Sequence, residues 1–120
     1  SSGAPAPYEE RDKYAYESGK QVMNLIEKNI RPRDIVTRKA LENAATIVAA
    51  TGGSTNAGLH LPAIAHECGI EFTLDDVVEI FKRTPYIADL KPGGQFVAKD
   101  VYEAGGVPII IKTLFEGGYI

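Results

Sequence analysis

The chain has 120 residues, of which 44% are hydrophobic and 24% are charged, a balance typical of one globular domain or of part of a larger one. Acidic and basic residues are interleaved and give a net charge of −3, so no basic stripe is available to bind a nucleic-acid backbone. No apolar run approaches the roughly 20 residues that a membrane-spanning helix needs. The composition therefore predicts neither a nucleic-acid partner nor a membrane partner.

Residues 1–8 are small and proline-rich without periodicity, which predicts an extended lead-in. Ser1-Ser2-Gly3 is also compatible with a cloning remnant. From residue 9 to residue 28 the apolar side chains recur at helical spacing with charges opposite, which predicts a long amphipathic helix. Its apolar face is formed by Tyr14, Val22, Leu25 and Ile26.

The segment Arg31-Pro32-Arg33-Asp34 is expected to end this first helix, because a proline disfavours helix in the residue before it. Thr37 is then the expected N-cap of a second helix, although Ala40 supplies no capping-box partner. This helix continues to the break at Thr51-Gly52-Gly53. Its many small side chains predict packing on more than one side.

A third helix is predicted from about residue 55 to residue 68, with Gly69 as its C-terminal stop. Pro62 is expected to kink this helix or to move its start to about Leu59. Thr73 predicts the N-cap of a fourth helix that runs to about residue 83. An irregular stretch over residues 86–95 and two short helices, at about 96–104 and 108–116, complete a mainly α chain.

The segment Thr51-Gly52-Gly53-Ser54-Thr55-Asn56-Ala57 is the most informative part of the sequence, because two glycines and three hydrogen-bonding side chains lead into a helix N-terminus. Free backbone N–H groups and the helix dipole at such a place favour a carboxylate or phosphate, which predicts anion binding by the backbone of Gly52 and Gly53. The competing interpretation is structural: the glycines end one helix and Ser54 or Thr55 caps the next. The segment lacks the lysine of a phosphate-binding P-loop, which disfavours a nucleotide site.

Other chemically capable residues have ordinary structural explanations. His60 and His66 do not share a helical face, which argues against a two-histidine metal site, and no cation flanks Cys68 to activate it. As the only cysteine, Cys68 can form no internal disulfide and cannot hold a cluster alone, and it fits a reducing, cytoplasmic setting. Acidic residues 75, 76 and 79 are typical of a helix first turn. The loop over residues 89–94 combines an acid, a base and a tight turn, so a functional role stays open there.

Six blocks of the sequence, taken together, resemble the dihydroxy-acid dehydratase and 6-phosphogluconate dehydratase family. They occur in the family's order and cover essentially the whole chain, and their combination is specific although each block alone is weak. Pro62 departs from the leucine that is more usual in the family after His60-Leu61. The blocks are Leu41-Glu42-Asn43-Ala44, Gly52-Gly53-Ser54-Thr55-Asn56-Ala57, Leu59-His60-Leu61, Ala63-Ile64-Ala65-His66-Glu67, Ala88-Asp89-Leu90-Lys91-Pro92-Gly93-Gly94 and Ala104-Gly105-Gly106-Val107-Pro108.

The resemblance implies a hydro-lyase that converts 2,3-dihydroxy acids to 2-oxo acids, most similar to the dehydratases of valine and isoleucine biosynthesis. It implies an iron–sulfur cluster as Lewis acid and a magnesium ion that holds the substrate, both in the full-length enzyme, which is expected to form a homodimer. In the family the cluster cysteines lie upstream of this stretch and the proposed catalytic serine lies downstream. This chain is therefore expected to bind no cofactor or metal and to contain no catalytic residue.

Under this resemblance, residues 9–120 are the helical part of a larger α/β catalytic domain, and the chain is an inactive internal fragment. Ser54, Thr55 and Asn56 are the candidate substrate-binding residues. A fragment of a sugar-acid (aldonate) dehydratase is the second hypothesis. A freestanding acidic helical module that binds a partner is the third hypothesis, and a small anion-binding protein that uses residues 52–56 is the fourth.

Overall fold

The computed structural model describes residues 3–120, and residues 1 and 2, with their part of the lead-in and of the suspected cloning remnant, lie outside the described residues. Helices dominate the described chain, and the pairing found there outside them is a single bridge between Leu90 and Phe96. The mainly α prediction is therefore confirmed. The helices are α1 (Glu10–Glu27), α2 (Pro32–Ile35), α3 (Arg38–Ala50), α4 (Asn56–Glu67), α5 (Leu74–Arg83), α6 (Ala98–Glu103) and α7 (Val107–Glu116).

The predicted helices differ from the observed ones mainly around proline residues. Helix α4 begins at Asn56 and continues through Pro62, so the expected shift of its start toward Leu59 does not occur. The segment predicted only to end α1 forms the short helix α2, because Pro32 occupies its first turn and Asp34 accepts a hydrogen bond from the Arg31 backbone N–H at 2.9 Å. Proline at these positions is compatible with a helix when local bonds satisfy the backbone.

Helices α3, α4 and α5 share the main hydrophobic core, to which each contributes residues from its apolar face. Arg38 links α3 to α5: its Nη2 lies 2.6 Å from Asp76 Oδ1, and its guanidinium lies 5.6 Å from the centroid of the Phe72 ring. The Thr73 side chain accepts from the Asp76 N–H while Asp76 accepts from the Thr73 N–H, which fixes the start of α5. The buried members of this core are Leu41, Ala45, Ala65, Phe72, Val77 and Ile80.

A second, smaller cluster joins α7 to the C-terminal end of α3. Ala50 meets Ile110 and Leu114 there, and all three side chains are buried. Because Ala50 is also the last residue of α3, this contact holds the end of that helix in place. The position from which the chain turns toward α4 is therefore set by packing.

Helix α1 stands in contrast, because none of its residues is buried. Before it, residues 3–8 form turns: the Tyr8 N–H donates to the Pro5 carbonyl at 3.0 Å, and Ala4 is buried. The Tyr8 ring packs edge-to-face on Tyr102 of α6 at 6.1 Å between centroids. The N-terminal segment therefore contacts α6 both through Tyr8 and through Tyr14 of α1, whose side chain hydrogen-bonds to Tyr102.

Candidate functional site

The glycine pair forms a tight turn at the end of α3. Gly52 has a φ of +66°, a left-handed conformation that favours glycine. Its N–H donates to the Ala49 carbonyl at 3.1 Å, and the Gly53 N–H donates to the Val48 carbonyl at 2.8 Å. Both glycine N–H groups are thus engaged within the turn, and the donors that remain for a ligand must come from the residues that follow.

The start of α4 presents those donors on the surface. Ser54, Thr55 and Asn56 are all exposed, and the Ser54 Oγ accepts from the Asn56 N–H at 3.1 Å. The backbone N–H groups of Ser54 and Thr55 donate no hydrogen bond within residues 3–120, and the Thr55 side chain makes no capping bond. Two backbone donors without an acceptor in the described residues, and three exposed polar side chains, therefore lie at the positive end of the helix dipole.

Two clefts border this turn. One, of about 430 Å³, lies between residues 51–55 and the segment Leu90-Lys91-Pro92. The other, of about 700 Å³, lies between α4 and α5 and is mostly apolar, with Leu59, Leu74 and Phe81 among its lining residues. Ser54 and Thr55 line both clefts, so the turn is open to solvent on two sides.

The loop over residues 89–94 is brought to the turn by the end of α3. The Ala50 carbonyl accepts from the N–H groups of Ile87 and Ala88 at 2.8 and 2.9 Å, which holds the chain beside the glycine pair. Lys91 lines the smaller cleft and makes no ion pair among the residues that the structure describes. The sequence alone does not place this loop beside the turn, because the two segments are distant in the chain.

Tyr86 packs beside the turn, a contact that the sequence did not predict. A Cβ placed on Gly52 would lie 2.5 Å from the Tyr86 ring, so the ring and the glycine are in direct contact. The Tyr86 hydroxyl donates to Asp89 Oδ1 at 3.2 Å. Partial burial, and then this hydrogen bond to the carboxylate, raise the pKa of Tyr86, so the hydroxyl stays a donor.

A family model described as dihydroxy-acid/6-phosphogluconate dehydratase N-terminal matches residues 1–120, which is the whole chain. The chain belongs to this dehydratase family. Curated relatives agree: the chain is 76% identical to a dihydroxy-acid dehydratase of Pelagibacter ubique and 72% identical to one of Parvibaculum lavamentivorans, each over 120 residues. A more distant dihydroxy-acid dehydratase, from Sulfurisphaera tokodaii, is 53% identical over 116 residues.

The matches cover all of this chain but little of the dehydratases themselves. The alignments to the Pelagibacter and Parvibaculum proteins span 100% of the chain and 21% of the relative. The alignment to the Sulfurisphaera protein spans 97% of the chain and again 21% of the relative. The chain therefore corresponds to about a fifth of the length of the family proteins that it matches.

The side chains of this dehydratase chain do not fit a metal cluster. His60, Glu67 and Cys68 line a shallow cleft beside α2, but Glu67 pairs with Arg33 at 3.7 Å, and His66 is not among the lining residues. Within residues 3–120 no three His, Cys, Asp or Glu side chains come together as metal ligands. A single thiol cannot hold the irons of an iron–sulfur cluster.

Two acids of the fourth predicted helix, Asp76 and Glu79, also have structural partners. Asp76 belongs to the capping box of α5 and pairs with Arg38, and Glu79 lies 2.7 Å from Lys82. Hydrogen bonds from the Thr73 backbone and then from Arg38 lower the pKa of Asp76. In addition, no helix in the described part of the chain is long and apolar enough to cross a membrane.

Proposed function

We propose that this chain is part of an enzyme that dehydrates 2,3-dihydroxy carboxylic acids to 2-oxo acids in valine and isoleucine biosynthesis, in the cytoplasm. The observation that carries the proposal is the family match over the whole chain, together with relatives that are named dihydroxy-acid dehydratases. Because the chain corresponds to about a fifth of those relatives, we expect it to be inactive alone and active together with the rest of the enzyme.

Within that enzyme, Ser54, Thr55 and Asn56 are proposed to contact the substrate carboxylate, while Gly52 and Gly53 shape the backbone that presents them. Three features support this role. Within residues 3–120 the backbone donors of Ser54 and Thr55 have no acceptor, the turn is exposed, and it opens on two clefts. A carboxylate at a helix N-terminus is stabilised by those donors and by the helix dipole.

Lys91 is proposed to add a positive charge to the same site. It lines the smaller cleft together with Ser54 and Thr55, and no acidic partner in the described residues neutralises it. An ammonium beside an exposed helix N-terminus strengthens the attraction for an anion over that of the backbone alone. The loop that the sequence left open thus becomes part of the proposed site.

The iron–sulfur cluster and the magnesium ion that the family resemblance implies are proposed to be held by residues outside this chain. This assignment follows from the chemistry of the donors present: Cys68 is the only thiol, Asp76 is engaged in a cap and an ion pair, and within residues 3–120 no three acidic, His or Cys side chains come together as ligands. When bound, the cluster supplies a Lewis acid for the departing hydroxyl. The role left to this chain is to bind and orient the acid.

A sugar-acid dehydratase is the second candidate, because the family description also names 6-phosphogluconate dehydratase. The mostly apolar cleft beside Ser54 and Thr55 favours a substrate with a branched alkyl end over a polyhydroxylated one. The freestanding helical module and the small anion-binding protein receive less support, since family membership covers the whole chain.

Turnover by the product of the natural gene that encodes this chain tests the proposed reaction. We expect release of a 2-oxo acid from 2,3-dihydroxy-3-methylbutanoate, at a kcat/KM at least about a hundredfold above that for gluconate, a preference of about 2.7 kcal/mol. A preference for gluconate would instead establish a sugar-acid dehydratase. Absence of both activities in a cluster-loaded preparation would refute the proposed function.

The substitution Lys91→Met in the same gene product tests the proposed site. We expect KM for the dihydroxy acid to rise about tenfold with a smaller change in kcat, because a charge that binds the substrate equally in ground and transition state is lost. Lys112→Met is the matched control, since Lys112 lies on α7 and pairs at 3.7 Å with Glu116. Equal KM values for the two variants would remove Lys91 from the site.

A further inference from the structure

One side of α1 is apolar and uncovered. At 100° per residue, Tyr16, Val22, Met23 and Ile26 fall within an arc of about 120°. These four residues, called the α1 face, are 71%, 53%, 56% and 64% exposed. Asp12 is the one charged residue within the same arc, so this face offers a partner little besides apolar surface. Large apolar side chains grouped in this way mark an interaction surface.

The whole chain exposes more surface than a self-contained protein of its mass. Its accessible area is 8223 Å², about 1,900 Å² more than the roughly 6,300 Å² expected for a folded monomer of 13.0 kDa. Its radius of gyration is 15.5 Å, against about 13.6 Å expected for a compact domain of this length. Both quantities indicate that part of the surface exposed by this chain is covered by other polypeptide.

The size of the excess accessible area helps to identify the polypeptide that covers it. A standard protein–protein interface covers about 800 Å² on each partner, so one ordinary contact with a second copy would leave more than half of the excess exposed. The curated relatives are about five times as long as this chain, which is ample polypeptide to cover it. The opposite side of α1 mixes Glu10, Lys13, Glu17 and Lys20, which gives no net attraction to an anionic lipid surface.

We infer that the α1 face is an internal interface of the longer dehydratase, covered by an apolar surface from the part of the same polypeptide that lies outside these 120 residues. This inference rests on the proposed function, because both take the chain to be part of a longer enzyme. It goes further by assigning a defined surface to contact within one polypeptide. The pairing explains an amphipathic helix of 18 residues that buries none of them here.

Met23 provides a native probe, because it is the only methionine in this chain. A microsecond pulse of hydroxyl radicals is applied to the full gene product, and oxidation of the tryptic peptide spanning residues 21–28 is measured by mass spectrometry. We expect Met23 to be oxidised at least about tenfold more slowly in the native protein than in the protein unfolded in guanidinium. An uncovered Met23, 56% exposed as here, would retain roughly half of the unfolded rate.

Dilution separates the two protein partners. Protection of Met23 that persists in monomeric gene product supports a contact within one polypeptide, whereas protection that disappears on dissociation assigns the face to a second copy and overturns the inference. A natural reading frame confined to these 120 residues would overturn it as well. Dehydratase activity together with an unprotected Met23 refutes the inference alone, and a protected Met23 without activity refutes the proposed function alone.

A pair of substitutions in the gene product gives a second measurement. Ile26→Asp places a charge in the α1 face and is expected to lower the thermal midpoint by several degrees, because an unpaired charge would then be buried. Gln21→Asp adds the same charge on the opposite, exposed side of the helix, so it is the control and is expected to change the midpoint little. Equal midpoints for the two variants would contradict a covered α1 face.

Discussion

Two amphipathic helices of this chain differ in what their apolar faces contact. Helix α5 has 10 residues and buries Val77 and Ile80 against α3 and α4, while α1 has 18 residues and buries none. Both helices carry most of their apolar side chains on one side, although the separation from charged residues is sharper in α5 than in α1, whose face includes Asp12. Such a separation identifies a face that needs a partner, and the fold determines whether this chain contains that partner.

The same contrast separates the candidate site from α1. The turn between α3 and α4 is exposed, yet neighbouring contacts fix its position, through Tyr86 against Gly52 and through Ala50 against α7. Helix α1 is exposed and has no such support from buried residues of its own. A binding site needs donors held in place by a packed scaffold, whereas a docking surface can acquire its order when its partner binds.

The largest expected effect of a substitution lies in the α3–α4–α5 core. Phe72→Ala is expected to reduce the free energy of unfolding by about 3–5 kcal/mol, because it removes a buried ring and leaves a cavity beneath Arg38. Ile26→Ala on α1 is the matched comparison and is expected to change it by less than about 0.5 kcal/mol. Urea denaturation of the 120-residue chain measures both. Similar losses for the two variants would show that α1 packs as tightly as α5.

An intermediate effect is expected at the glycine turn. Gly52→Ala and Gly69→Ala both place a side chain at positive φ, +66° and +70°, which costs about 1–2 kcal/mol. The added methyl group at residue 69 enters open space, while at residue 52 it meets the Tyr86 ring at 2.5 Å. We therefore expect Gly52→Ala to be the more destabilising by about 0.5–1 kcal/mol, because the half-exposed Tyr86 ring must move away from its hydrogen bond to Asp89. Equal losses in urea denaturation would mean that Tyr86 does not support the turn.

The helices could be predicted from sequence wherever a local signal decides the structure. The Thr37 and Thr73 caps mark helix starts within one residue of those observed, because a cap acts on its own first turn. Prolines were harder to interpret. Pro62 lies within α4 and Pro32 starts α2, since the cost of a missing N–H depends on neighbours that the local sequence does not specify.

The candidate site could be predicted only in part. The polar start of α4 follows from the order of residues 52–56, and its exposure agrees with a ligand-facing role. The N–H groups of Gly52 and Gly53 are engaged because they donate to carbonyls of α3. Lys91 approaches the turn because the Ala50 carbonyl holds residues 87 and 88 beside it. The approach of Lys91 is a tertiary contact between distant segments, so no local pattern could reveal it.

The smallest expected effect concerns charge, and it again compares the core with α1. Hydrogen bonds from the Thr73 backbone and from Arg38 hold the pKa of Asp76 below its ordinary value of 3.8. The unfolded chain therefore binds the proton more tightly, so this carboxylate stabilises the fold above pH 3.8, and its contribution is lost as the pH falls through the lower folded value. Asp76→Asn should accordingly lower the urea midpoint at pH 6, and the gap from the unsubstituted chain should close progressively in more acidic buffer.

Glu17→Gln is the matched change on α1, where Glu17 pairs with Lys20 at 3.0 Å and both side chains are more than half exposed. Such an exposed pair gains little from its attraction in water, so we expect Glu17→Gln to leave the urea midpoint unchanged both at pH 6 and in acidic buffer. Suppose instead that the difference in urea midpoint between Asp76→Asn and the unsubstituted chain stayed constant from about pH 6 to about pH 3. The loss would then come from the poorer hydrogen-bond geometry of the amide, and the charge of Asp76 would not explain the link between α3 and α5. A gap that closes for Asp76 alone would show that a carboxylate stabilises this fold only where packed helices hold its partners in place.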